Sequence, residues 1–99
     1  MALNQNLENR LDALKKRAAE LDKMIVDDTA RVFLLGFARN ALRDVESYLL
    51  PNAAKAKNAA SASGWFSIAD FQLKTANEHL RRAQAAVKKY GQNVCVVCG

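Results

Sequence analysis

The sequence feature that most constrains the fold is residues 32–38, where seven consecutive residues carry no polar side chain. Around this segment, apolar residues at helical spacing form two stripes on neighbouring faces. The first stripe comprises Val32, Leu35, Ala38, Leu42, Val45 and Leu49. The second stripe comprises Phe33, Phe37, Ala41 and Tyr48. A helix that is apolar on two faces lies between neighbouring helices. We therefore predict a central helix over about residues 29–50.

An amphipathic first helix is predicted over about residues 4–26. Its apolar residues recur in alternating steps of four and three, which is the spacing of a coiled-coil contact line. They are Leu7, Leu11, Leu14, Ala18, Leu21 and Ile25. The basic run at residues 15–17 falls off this line, so we expect it to lie on a solvated face.

The junction between the first two helices allows two interpretations. Asp28 is a suitable N-cap for the central helix, and Asp27 and Asp28 are unfavourable at the C-terminal end of the first helix. Both observations favour a break at this point. The alternative is one continuous helix over about residues 4–50, because no Gly or Pro forces the helix to stop there.

Pro51 predicts the end of the central helix, because proline disfavours helical geometry in the residue before it. Residues 51–64 contain no large apolar residue. We predict a polar, alanine-rich connection, with at most a short helical turn that starts at Pro51. Its length would allow it to reach either end of a bundle, so the direction of the last helix stays open.

The last helix is predicted over about residues 66–90. Ser67 and Asp70 have the spacing of a capping box, and Phe66 and Phe71 are placed to form a hydrophobic staple. An apolar ladder follows, with small and large residues in alternation. It comprises Ala69, Leu73, Ala76, Leu80, Ala83, Val87 and Tyr90.

Residues 91–99 form a short tail, and Gly91 is suited to cap the helix before it. Cys95 and Cys98 have the CxxC spacing, but two cysteines supply only half of a structural zinc site. The βαβ context of a thioredoxin-like motif is absent from the sequence. His79 has no nucleophile at a catalytic spacing. We therefore expect no enzymatic activity, no cofactor and no bound metal, with Cys95 and Cys98 as weak metal candidates.

The net charge of +5 arises entirely in the second half of the chain, since residues 1–50 hold equal numbers of acidic and basic residues. Lys74, Arg81 and Lys88 recur every seven residues, and Arg82 and Lys89 share that spacing. A phosphate backbone can follow such a row, although no aromatic residues alternate with it to stack on bases. A solvated basic face is the simpler interpretation, and nucleic-acid binding by these five residues is the alternative.

The sequence contains no run of eighteen apolar residues of the kind that spans a membrane. Its first residues lack the basic segment and apolar core of a signal peptide. We therefore expect a cytosolic protein with reduced cysteines and no membrane partner.

These patterns predict an all-α fold in a single domain of residues 1–99. We expect an up-down three-helix bundle, or a helical hairpin completed by homodimerisation. The predicted interface comprises Phe33, Leu34, Gly36 and Phe37, since Gly36 would allow another helix to approach closely. We expect a non-enzymatic interaction or assembly module that pairs with itself, with another helical protein as the other candidate partner. The alternative function is that of a small basic nucleic-acid-binding protein.

Overall fold

A computed structural model describes residues 2–90, with side chains from residue 5 onward. All regular structure in this range is helical. In chain order the elements are α1 (Ala2–Met24), α2 (Asp28–Asp44), a π-helical turn (Val45–Leu49), α3 (Leu50–Lys55) and α4 (Ala59–Tyr90). Helices α1, α2 and α4 pack against one another. The prediction of an all-α bundle is therefore confirmed for the described residues.

Helix α4 determines the length of the bundle. Its 32 residues span about 48 Å at 1.5 Å per residue, and the longest dimension of the molecule is 51 Å. Because the other two dimensions are only 20 and 16 Å, each helix keeps one side exposed along most of its length.

Side-chain contacts establish the direction of each helix. Arg10 of α1 contacts Asp70 of α4, and Arg17, two turns later, contacts Asn77. Because both sequence numbers rise together, α1 and α4 run parallel.

Helix α2 runs in the opposite direction to α1. Lys15 contacts Glu46, whereas Asp22, which follows Lys15 in α1, contacts the earlier residue Arg39. The sequence left the direction of the last helix open, and these contacts resolve it as up-down-up.

The core consists of the three predicted apolar ladders, with two corrections. All six ladder residues of α1 are buried, and so are the six ladder residues of α4 that precede Tyr90. Tyr90 itself is 45% exposed, and Val32, predicted to begin the first stripe of α2, is 73% exposed. The side of α2 that meets the other helices begins instead with Ala30 and continues through Leu35, both fully buried. Val32 lies farther round the helix.

The predicted break between the first two helices is confirmed, but its cap is Asp27 and not Asp28. The carboxylate of Asp27 accepts a hydrogen bond of 2.7 Å from the backbone N–H of Ala30. On the other side of the break, the guanidinium of Arg31 donates to the carbonyl of Ile25 at 3.1 and 3.2 Å. Both ends of the break therefore have hydrogen-bond partners, which is what helix termini require.

Pro51 does not end the central helix, so that prediction is wrong. The chain widens into the π-helical turn, and the N–H of Leu50 bonds to the carbonyl of Val45, five residues earlier. Pro51, which has no N–H, then falls in the first turn of α3, where none is needed. The side-chain amide of Asn52 donates to the carbonyl of Tyr48 at 2.6 Å. The wider turn and this bond accommodate the proline inside a continuous helical path.

The predicted connection at residues 51–64 is also wrong, because only residues 56–58 are non-helical. Alanine has the highest helix propensity of all residues, and this segment is alanine-rich, so it extends α3 and α4 towards each other. The side chain of Asn58 accepts a bond of 2.8 Å from the N–H of Ser61, as an N-cap does.

The capping box and staple predicted for the last helix are consequently absent. Ser67 lies inside α4, and Asp70 binds Arg10. Phe66 is buried whereas Phe71 is 68% exposed, so the two rings face in different directions. The predictions for Gly91, Cys95 and Cys98 lie outside the described residues.

Candidate interaction surfaces

The interior of the bundle offers no polar site. Over residues 5–90, no polar or charged side chain is buried. In the part of the chain that the structure describes, no group of three or more His, Cys, Asp or Glu is placed to hold a metal ion. None of the helices in that part combines the length and apolar character needed to cross a bilayer. The candidate sites therefore lie on the outer surface of the helices.

Large apolar side chains are exposed along the flank of α2 that faces α4. Phe33 is 64% exposed, Phe37 is 71% exposed and Tyr48 is 56% exposed. The ring of Phe37 stacks on His79 of α4, with centroids 5.5 Å apart and planes at 22°. Tyr48 packs edge-on against Trp65, with centroids 5.6 Å apart and planes at 84°. The first contact joins α2 to α4, and the second joins the π-helical turn after α2 to an earlier point of α4.

Helix α4 extends the same surface with residues of its own. Trp65, Ile68 and His79 are spaced so that all three lie on one flank of the helix. Ile68 is 47% exposed. Phe71, one turn later and about 60° farther round α4 from α2, is 68% exposed and lies at the margin of this surface. We call this surface the aromatic face. It comprises Phe33, Phe37, Tyr48, Trp65, Ile68, Phe71 and His79.

The four residues of the predicted interface differ in exposure and in their position round α2. Phe33 and Phe37 are not covered by the chain's own helices, which the two-stripe pattern predicted. Leu34 is half-buried and packs against the core. Gly36 lies about 100° round the helix from Phe37. A Cβ at Gly36 would meet no atom within 4 Å, so no helix of this chain approaches it closely.

Sequence reasoning missed the contribution of α4 to this surface. Ile68 was not singled out, and Phe71 was assigned to a staple within the helix. The available signal was that both are large apolar residues off the α4 ladder. Sequence alone does not show that α2 places its own exposed rings beside them.

The opposite flank of α4 is basic and faces α1. Lys74, Arg81 and Lys88 lie on this flank, with Asn77 and Gln84 between them at alternating steps of three and four, so all five share one side of the helix. From α1, Arg17 donates hydrogen bonds of 2.9 and 3.0 Å to the side-chain oxygens of Asn77 and Gln84. We call this surface the basic face. It comprises Arg10, Arg17, Lys74, Asn77, Arg81, Gln84 and Lys88.

One carboxylate sits at the edge of the basic face. Asp70 accepts a hydrogen bond from Arg10 at 2.6 Å and lies 3.1 Å from the ammonium of Lys74. The hydrogen bonds from Arg10 and then Lys74 lower the pKa of Asp70 below its ordinary value. Asp70 therefore remains ionised and is shared between two cations.

The five basic residues predicted to bind nucleic acid divide between two sides of α4. Arg82 and Lys89 each follow a residue of the basic face, so they point about 100° away from it. Arg82 lies 3.7 Å from Glu78, which is equally far from Arg81. The ammonium of Lys89 lies 5.2 Å from the ring centroid of Tyr90. Only the other three predicted residues, Lys74, Arg81 and Lys88, lie on the flank of α4 that faces α1. Arg10 and Arg17, which complete the face, were missed because sequence does not show which helix α1 adjoins.

The groove between α1 and α2 contrasts with both faces. It holds about 400 Å³, and four of its six charged side chains form ion pairs across it. Asp22 and Arg39 lie 3.1 Å apart. Lys15 binds Glu46, and this hydrogen bond raises the pKa of Lys15 above its ordinary value. Ion pairs between exposed side chains join the two helices here, and Lys23 and Arg43 also line the groove.

Helix α4 thus carries two chemically different flanks, one aromatic and one basic, on either side of its buried ladder. No protein-family model, no curated protein and no solved structure matches this chain significantly.

Proposed function

We propose that this protein is a non-enzymatic interaction module of the cytosol that acts as a homodimer through its aromatic face. The observation that supports this most directly is the exposure of Phe33, Phe37, Tyr48 and Phe71 on adjoining helices. A contiguous exposed apolar surface is characteristic of an interaction site.

The size of the face is appropriate for a subunit interface. The four aromatic side chains are 56–71% exposed, and at roughly 200 Å² for a whole ring they leave about 500 Å² uncovered. That is near the upper range for the largest apolar patch of a monomer, about 300–600 Å². It also supplies more than half of the roughly 800 Å² that each partner buries in a standard interface. Ile68 and the polar rim add to it.

The low charge of the aromatic face makes it the surface on which a second copy can bind. The chain carries a net charge of +5, so two copies repel each other over most of their surface. The seven residues of the aromatic face include no lysine or arginine, and its neighbours Asn40, Gln72 and Thr75 are neutral. Two cations border it, Lys74 one turn after Phe71 and Arg82 one turn after His79. They lie 3.1 Å from Asp70 and 3.7 Å from Glu78 respectively. A two-fold axis would place this face against itself, with rings on rings and the basic residues of both chains directed away.

The test is a pair of glutamate substitutions on opposite sides of α2. We expect the wild type to sediment at twice the chain mass of 10.9 kDa, and Phe37→Glu to sediment at the chain mass, because a buried unpaired carboxylate opposes association. Val32→Glu is the matched control, since Val32 is 73% exposed against 71% for Phe37. It changes the charge equally but lies outside the aromatic face, so this variant should remain a dimer.

A further substitution, on α4, distinguishes loss of dimerisation from loss of folding. Phe71→Glu should also give a monomer, with the helical circular dichroism of the wild type, because Phe71 is 68% exposed and supports little of the core. Sedimentation equilibrium that shows only the 10.9 kDa species for the wild type at tens of micromolar would exclude the homodimer. Equal dissociation of the Val32 and Phe37 variants would place the interface elsewhere.

A further inference from the structure

We propose that the basic face is a second binding surface, which holds the phosphate backbone of double-stranded nucleic acid without reading its sequence. This inference rests on the flank of α4 that faces α1. It does not depend on the homodimer proposal, which uses the other flank.

The spacing of the charges suits an extended polyanion. Lys74, Arg81 and Lys88 follow one another at intervals of seven residues, which is about 10.5 Å along the helix axis. The row is therefore about 21 Å long, or roughly six base-pair steps of 3.4 Å. Helix α1 runs parallel beside it and places Arg10 and Arg17, also seven residues apart, along the same line.

The positive charge of this face is only partly compensated. Arg17 is held by two neutral amides, so its hydrogen bonds orient the guanidinium without cancelling its charge. Asp70 is shared by Arg10 and Lys74, and the carboxylate nearest to Arg81 is that of Glu78, at 3.7 Å. Glu20 lines the same groove as Arg17 and Lys88. Five cations thus face three carboxylates, and the surplus of positive charge is the electrostatic feature expected of a nucleic-acid-binding surface.

The residue types favour a duplex backbone over other anions. Arginine, lysine, asparagine and glutamine side chains all contact phosphate oxygens in protein–DNA complexes, and the basic face consists of these four types alone. It contains no aromatic residue, whereas surfaces that bind single strands stack bases on aromatic rings. The row occupies the C-terminal half of α4 and not its N-terminal turn, so base-edge readout of the kind made by the N-terminal residues of recognition helices is not expected.

The experiment measures the anisotropy of a labelled DNA duplex of about 20 base pairs, between about 50 and 200 mM salt. The test variant is Lys74→Gln, Arg81→Gln, Lys88→Gln. The control is Lys16→Gln, Lys23→Gln, Lys57→Gln, which removes the same three charges from exposed positions outside the basic face. A duplex RNA of the same sequence and a poly-glutamate peptide form two further arms.

We expect the wild type to bind duplex with an affinity that falls steeply with salt. The test variant should bind at least about tenfold more weakly at low salt, with a log–log salt slope smaller by about 2.7, because each lost phosphate contact reduces the slope by about 0.9. The control should stay close to the wild type. Circular dichroism should show that both variants keep their helices.

Three results would overturn the proposal. The first is no binding of the wild type to either duplex at low salt. The second is an equal loss in test and control variants, which would reflect net charge instead of a surface. The third is tighter binding to poly-glutamate than to both duplexes, which would identify an acidic protein as the occupant. Comparison of the two duplexes shows whether the phosphate backbone that this face binds is that of DNA or that of RNA.

Discussion

The two flanks of α4 show how one buried ladder can support surfaces of opposite character. Towards α1, the neighbouring side chains are long and polar, and Arg10 and Arg17 reach across to hydrogen-bonding partners. Towards α2, they are rings, and even those in aromatic contact, Phe37 and Tyr48, stay 71% and 56% exposed. The polar side chains of the α1 contact can form hydrogen bonds with each other and with water, whereas the rings of the aromatic contact leave apolar area exposed to water. The aromatic flank therefore gains from a partner that buries its apolar area, whereas the basic flank gains only from a partner that neutralises its surplus charge.

The difference follows from side-chain shape as well as polarity. An arginine side chain can cover apolar surface with its methylene groups while its guanidinium remains in water. An aromatic ring on a helix flank has no such polar end, apart from the hydroxyl of tyrosine. A flank lined with arginine can therefore close a helix contact without a second chain, and a flank lined with phenylalanine cannot.

The strongest test of this comparison removes the support that both flanks share. Leu80 is fully buried in the α4 ladder, and Leu80→Ala should reduce the free energy of unfolding by about 2–5 kcal/mol. Ile68→Ala is the matched control, because a residue of similar size that is 47% exposed should cost clearly less. Urea denaturation at one fixed protein concentration measures both. Equal losses would show that the aromatic face is as much a part of the core as the ladder is.

A smaller change sharpens the boundary of the aromatic face. Gly36→Ala should raise the free energy of unfolding by up to about 1 kcal/mol, because alanine favours helix over glycine and the added Cβ meets no atom within 4 Å. Gly36 is not part of the aromatic face but lies one turn after Phe33, at its margin, so Gly36→Leu should weaken the proposed dimer less than Phe37→Glu does. Thermal melting and sedimentation check the two outcomes. A Leu variant that is monomeric would extend the interface round α2 to the glycine.

The smallest expected effect concerns the acidic edge of the basic face. Asp70 has a folded pKa below its ordinary value of 3.8, so its contribution to stability is present above pH 3.8 and is lost as the pH falls through the lower folded pKa. The stability difference between wild type and Asp70→Asn should therefore be constant near neutral pH and shrink below about pH 4. Urea denaturation across this range measures it. A constant difference at all pH values would show that the hydrogen bonds from Arg10 and Lys74 do not stabilise the charged carboxylate.

Much of the core was predictable because helical burial follows a strict period. All the ladder residues of α1 and most of those of α4 are buried, as the spacing of their apolar residues predicted. The break before α2 was predictable from its two aspartates. The position of the cap was missed by one residue, because Asp27 and Asp28 are equally capable caps and the sequence does not distinguish them.

Local signals at Pro51 and Ser67 were misleading because tertiary packing overrode them. Leu50 and Ala53 are buried against the core, so packing favours continuing the helix through the proline, and the π-helical turn removes the steric conflict. The alanine-rich segment 51–64 is then mostly helical, because alanine has a high helix propensity and the bundle supports the helix by packing. The candidate interface was half predictable. Phe33 and Phe37 were recognisable as surplus apolar residues, but Ile68 and Phe71 were not assigned to the same surface.

The sequence by itself determined most of the buried residues and that the chain is helical, because both depend on the period of apolar side chains along one element. It also determined that α2 carries more apolar surface than one contact requires. Only the tertiary structure decided which flank of α4 meets α1 and which meets α2, since helix direction depends on contacts between residues some 60 positions apart, such as Arg10 and Asp70. That choice places Arg17 between Asn77 and Gln84 and Phe37 on His79.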